Sequence, residues 1–216
     1  MNDLLIKLGE IGVIPVIKLE KPEQASDLGR ALLDGGLPCA EITFRAAGAD
    51  KAISRMASTF PEILVGAGTV LTVEQAQRAA ERGARYIVSP GFAPKVVDWC
   101  LEHDLPVIPG VATPTEIIMG LDRGLEVLKF FPAEVFGGPA ALKAISEVFS
   151  VRFIPTGGVS ASNMADYLRM RNVLAVGGSW MVKSDLIKDG QFDRIAALAR
   201  EARSLVAQIR AKGDQP

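Results

Sequence analysis

A chain of 216 residues has room for one sizeable α/β domain and is short for two. Hydrophobic residues make up 49%, charged ones 23% and aromatics 6%, which suits a Val/Ile/Leu/Ala core of parallel strands and helices. A formal charge of −1 and a pI near 5.9 argue against a nucleic-acid surface or a polybasic membrane patch, and leave a small molecule as the expected partner.

The N-terminus, MNDLLIKLGE, carries two acids in its first ten residues and does not read as a secretion signal. From there, eight short apolar runs recur: VIPVI (13–17), AEITF (40–44), ILVGAG (63–68), YIVSP (86–90), PVIPG (106–110), VLKFFP (127–132), RFIPTGG (152–158) and LAVGGS (174–179). Amphipathic stretches with helical spacing lie between them, among them TVEQAQRAAERGA and APKVVDWCLEHD. Thr72 and Ser160 are predicted N-caps, and Gly83 and Gly124 predicted helix stops. Eight strands alternating with helices predict an α/β fold, a compact (β/α)8 TIM barrel spanning residues 1–216 as a single domain, with about 210–216 a frayed tail. An open doubly wound sheet is the structural alternative. No GxGxxG follows the first run, which disfavours dinucleotide binding.

Cys39 and Cys100 stand in unrelated contexts and fit buried thiols of a reducing compartment. With His103 the one histidine and no CxxC, HxH or HExxH, no metal site is predicted. No stretch reaches about 18 uninterrupted apolar residues, so no membrane span is predicted and the expected location is cytoplasmic.

Both faces of a barrel strand are buried, so polar residues inside strands need a reason. In EITFR, Glu41, Thr43 and Arg45 share one face and Ile42 and Phe44 the other. Helices cover the outside, so Glu41 is predicted deep in the interior and Arg45 near its C-terminal mouth. Thr43 reads as plain packing. Lys129 is set among Val127, Leu128, Phe130 and Phe131. An ammonium there loses its hydration, so the site must pair it, neutralise it or use it. A structural ion pair is the bland alternative. Two glycine pairs, in PTGGVS (155–160) and VGGS (176–179), end the last two strands. Barrels often bind phosphate there, on glycine N–H groups and a short helix N-terminus.

GLPCAEITFR (36–45) and GLEVLKFFPAEVFG (124–137) resemble the two signature segments of the 2-keto-3-deoxy-6-phosphogluconate (KDPG) and 4-hydroxy-2-oxoglutarate (KHG) aldolases. VGAGTV (65–70), SPG (89–91) and PTGGVS are similar to further segments of that family, in order along nearly the whole chain. The resemblance implies a class I, cofactor-free aldolase with Lys129 as Schiff-base lysine and Glu41 as general acid/base. It implies that Arg45 and Thr69 hold the pyruvyl carboxylate, that Pro90 and Phe131 line the pocket, and that Gly157, Gly158 and Ser179 hold the phosphate, with Thr156 and Gly178 in the same turns. The substrate would be a 2-keto acid phosphate and the assembly a homotrimer. Lys18, ending the first run, is either a second cation at the pocket mouth or a solvated strand end. The galactonate epimer of KDPG, a phosphosugar isomerase or epimerase, and a catalytically silent phosphometabolite-binding barrel are the competing readings.

Overall fold

The computed structural model describes residues 2–213. Its strands are β1 (Val13–Ile17), β2 (Cys39–Thr43), β3 (Leu64–Gly68), β4 (Tyr86–Val88), β5 (Val107–Ile108), β6 (Gly110–Val111), β7 (Val127–Phe130), β8 (Arg152–Pro155) and β9 (Val176–Gly178). All pair in parallel, in the orders β5-β4-β3-β2-β1-β9 and β6-β7-β8. Bridges Phe153–Val173 and Thr156–Gly177 join β8 to β9 and close the ring, giving a single-domain (β/α)8-type barrel.

Each of the eight apolar runs holds a strand, but the fifth is split in two. Pro109 lies at the break, and its carbonyl accepts from the Lys129 N–H at 2.9 Å. Proline brings no N–H to the ladder, so the chain is held there through carbonyls alone.

Close packing inside the ring depends on glycine at chosen positions. A Cβ on Gly66 would stand 2.2 Å from Cζ of Tyr86, a wholly buried ring whose hydroxyl donates to the Ala40 carbonyl at 3.2 Å. Burial pushes the Tyr86 phenol well above its usual range, so it remains a neutral donor. Gly66→Ala is expected to cost about 3 kcal/mol by overpacking and to lower Tm by roughly 6–12 °C; a melt within a degree of the parent would show that the ring can move aside.

The helices carry most of the predicted signals. Thr72 caps Val73–Glu81, accepting from the Gln75 N–H, and Gly83 and Gly124 follow their helices at φ +91° and +72°. Ser160 is not an N-cap: the helix there is Met164–Leu168, with Asn163 at the cap position. Asn163 draws Ser160 into a preceding turn by accepting from its N–H at 2.8 Å.

The N-terminal segment forms a helix, Asp3–Ile11, that the sequence reading did not assign. Its signals were Asn2, which accepts from the Leu4 N–H, and Gly12 at φ +78°. The last helix, Phe192–Gly213, continues through 210–213, where a frayed tail was expected. The reason is tertiary: Arg210 donates to the carbonyls of Gly9, Glu10 and Leu174, and Arg203 to those of Glu10 and Ile11. Cations are favourable at that helix C-terminus. Residues 214–216 of the expected tail lie outside the described residues.

Cys39 and Cys100 are free and buried, and burial pushes both thiols up to about 12. His103 ends its helix exposed, stacked on Trp99 at 4.2 Å. No described helix is long and apolar enough to cross a membrane.

Candidate active site

Period-2 alternation along β2 sends Ile42 outward and Glu41 and Thr43 inward. Glu41 is 3% exposed, and β3 makes room for it. A Cβ on Gly68 would fall 2.3 Å from Glu41 Oε1. Thus β3 carries two inward glycines, Gly66 admitting the Tyr86 ring and Gly68 the Glu41 carboxylate.

Across the barrel, β7 turns Lys129 inward and Leu128 outward, against the helix Pro114–Leu121. Lys129 is 5% exposed. Its Nζ donates to Glu41 Oε1 at 3.2 Å and lies 5.2 Å from the Phe131 ring centroid. Each buried charge therefore has the other as partner, and among the described residues no fully buried side-chain polar atom is left without one.

A pair that merely held the core would be packed over. This one opens onto a cavity of about 220 Å³. Arg45, Thr69, Pro90, Phe131, Thr156, Gly157, Gly158, Gly178 and Ser179 line the same cavity with Glu41 and Lys129, so one space gathers every residue proposed for the site. Arg45 and Ser179 are exposed at its mouth. Lys18 is not among the lining residues and pairs with Glu20 at 2.8 Å on the surface.

Several supports set the geometry. Thr43, read as plain packing, accepts from Arg45 Nε at 3.1 Å and donates to the Ile17 carbonyl at 2.7 Å, which fixes one side of the guanidinium. Ser89 donates to the Gly91 carbonyl at 2.8 Å and shapes the turn that presents Pro90. Thr69 adopts φ +56°, a costly conformation for a β-branched residue. Gly177 makes room for Thr156, whose Oγ1 would be 2.3 Å from a Cβ there. After Gly178 a 3-10 turn, Trp180–Val182, starts at once, and the Trp180 ring lies against Gly178.

The sequence reading missed Val16, Val159 and Gly177 as lining residues. In strands buried on both faces, an apolar residue facing a cavity looks like one facing a helix. Among the described residues no group of three or more His, Cys, Asp or Glu gathers as a metal site would need. A buried amine, a carboxylate within proton-transfer distance and two glycine turns in one cavity suit imine chemistry on a small anionic keto acid.

The family model for the KDPG and KHG aldolases matches residues 5–198. The chain is 48% identical over 200 residues to the 2-dehydro-3-deoxy-phosphogluconate aldolase of Treponema pallidum, covering 92% of this chain and 95% of that one. It is 46% identical over 191 residues to the KHG/KDPG aldolase of Escherichia coli, covering 88% and 90%. Among solved structures, the KDPG aldolase of Legionella pneumophila, with pyruvate captured as a covalent carbinolamine, superposes with a TM-score of 0.87 at 41% identity, covering 90% and 97%.

Proposed function

Because the chain belongs to the KDPG and KHG aldolase family, whose members are carbon–carbon lyases, we propose that it cleaves 2-keto-3-deoxy-6-phosphogluconate to pyruvate and glyceraldehyde 3-phosphate, and 4-hydroxy-2-oxoglutarate to pyruvate and glyoxylate. The observation that carries this reading is the buried Lys129–Glu41 contact of 3.2 Å opening onto a cavity ringed by both glycine turns.

Before Lys129 can attack, it must lose a proton, and Glu41 Oε1 is the acceptor already in contact with it. The amine adds to C2 of the keto acid, and a proton of the added nitrogen passes to the former carbonyl oxygen, which becomes a hydroxyl. Glu41 returns its proton to that hydroxyl, which leaves as water, and the imine forms. The carboxylate then takes the C4 hydroxyl proton as the C3–C4 bond breaks; its electron pair moves onto the imine as an enamine and the aldehyde departs. Glu41 delivers the proton to C3, water adds to the imine carbon, and pyruvate leaves with Lys129 restored. One water is released and one consumed. Arg45 and Thr69 hold the keto acid carboxylate at the mouth, Pro90 and Phe131 wall the reacting carbons, and the turns holding Thr156, Gly157, Gly158, Gly178 and Ser179 take the phosphate.

Borohydride reduction in the presence of pyruvate is expected to leave a pyruvyl adduct on Lys129, read by peptide mass spectrometry. No adduct on any lysine would remove the aldolase reading in favour of an isomerase or binding barrel. The relatives named for phosphogluconate favour that substrate over its galactonate epimer; kcat/KM on the two epimers decides between them. Thr69→Gly is expected to hold stability constant or raise it by up to about 1 kcal/mol, since glycine relieves the left-handed strain but loses more entropy on folding, while KM rises severalfold. A variant that binds normally would free Thr69 from the carboxylate role.

Large apolar side chains remain exposed beyond the strand ends, with Leu71 at 57%, Val135 at 81% and Phe136 at 52%. These faces suit burial between copies, and the homotrimer that the family resemblance implies is to be read by analytical ultracentrifugation. The two free, buried thiols suit a cytoplasmic location.

A further inference from the structure

The turn Gly157–Gly158 reaches the cavity at φ +99° and +83°, a backbone conformation that glycine adopts without strain and that lets successive N–H groups converge on an anion. Nothing in two glycines fixes that aim, because the same freedom allows other conformations. What fixes it lies behind the turn. The Gly157 carbonyl accepts from the Glu134 N–H at 3.0 Å, and the Gly158 carbonyl accepts from Asn163 Nδ2 at 3.1 Å. In a trans peptide the C=O and the following N–H point in opposite directions. Holding the two carbonyls away from the cavity therefore turns the N–H groups of Gly158 and Val159 toward it.

Asn163 holds both ends of this segment. Its Oδ1 accepts from the Ser160 N–H at 2.8 Å while its Nδ2 serves Gly158. The amide orientation follows from its partners, since a backbone N–H can only donate and a carbonyl can only accept. On the other side, Glu134 covers the turn: a Cβ on Gly158 would fall 2.5 Å from Glu134 Cγ. The buried Tyr167 hydroxyl donates to the Glu134 carboxylate and keeps that anion on its own side.

We propose that Asn163 is the positioning residue of the anion turn, fixing the Gly158 carbonyl so that the Gly158 and Val159 N–H groups face the substrate phosphate, with the Glu134–Tyr167 pair bracing the opposite side. The proposal deepens the aldolase reading and rests on its phosphate site. None of these three side chains lines the cavity, so none touches the reacting carbons.

The test compares kcat and KM on KDPG and on unphosphorylated 4-hydroxy-2-oxoglutarate, with inorganic phosphate as competitive inhibitor, for the parent, Asn163→Ala and Tyr167→Phe. In Asn163→Ala, KM for KDPG is expected to rise about tenfold or more, the scale of a lost hydrogen bond to a charged group, and inhibition by phosphate to weaken in step. Its kcat/KM on 4-hydroxy-2-oxoglutarate stays within about twofold, because that substrate lacks the phosphate. Tyr167→Phe, a buried near-isostere that serves if the alanine variant fails to fold, is expected to show the same split at a few-fold scale. Equal losses on both substrates, or an unchanged KM for KDPG, would overturn the positioning role while leaving the aldolase reading intact. A parent enzyme indifferent to both the substrate's phosphate and inorganic phosphate would overturn the phosphate site itself, and the proposal with it.

Discussion

Replacing Lys129 by arginine is expected to lower kcat by about 10⁴-fold or more and to leave a folded protein that gives no borohydride-trapped adduct with pyruvate. The magnitude is that of removing a covalent nucleophile whose partners cannot act without it. Arginine is the informative choice because it keeps a cation beside Glu41. Lys129→Ala would leave that carboxylate buried without its partner, and breaking a buried pair costs about 3–5 kcal/mol, so lost activity could be mistaken for lost fold. Guanidinium retains the charge and cannot form the imine. Circular dichroism and a thermal melt close to those of the parent, with turnover at background, would place the whole loss on imine formation. Retained turnover would put the nucleophile on another strand.

Glu41→Gln is expected to lower kcat by about 10²–10⁴-fold, the usual contribution of a positioned acid/base, while KM for phosphorylated substrate changes by no more than severalfold. Glutamine fits the space that Gly68 leaves for the carboxylate and still accepts a hydrogen bond from Lys129, but it cannot receive and return a proton. In the proposed mechanism Glu41 moves the proton at dehydration, at the C4 hydroxyl and at C3, so imine formation and C3–C4 scission are both expected to slow. Rapid-quench measurement of adduct formation separates the two steps. A variant with normal turnover would remove Glu41 from the mechanism.

The barrel was legible because its repeat is physical: a strand covered on both faces must be a short apolar run, and eight such runs separated by amphipathic stretches leave few closed arrangements. The buried pair was legible for a related reason. Glu41 and Lys129 are charges in places that exclude charge, and alternation in EITFR assigned the inward face. The split of the fifth strand was harder to see, since PVIPG contains its breaker yet remains an unbroken apolar run. The N-terminal helix offered only nine residues and a cap, and its stability comes from packing and from two arginines about two hundred residues away. Asn163 and Thr43 escaped for another reason. Both act through hydrogen bonds to backbone carbonyls or to another side chain, and such partners are set by where loops and strands meet in space.

The ring is not evenly fastened. Its ladder is continuous from β5 round to β9 and again from β6 to β8, while β8 and β9 meet only through isolated bridges. Glu41 and Ser179 belong to the first arc, Lys129 and the Gly157–Gly158 turn to the second. A ligand that touched both glycine turns and the lysine would therefore span both arcs, as a clasp spans a hoop. By mass action a ligand at a hundred times its Kd adds about 2.7 kcal/mol to the state that binds it. Substrate bound across both arcs would thus stabilise the ring through the same contacts that place it for catalysis.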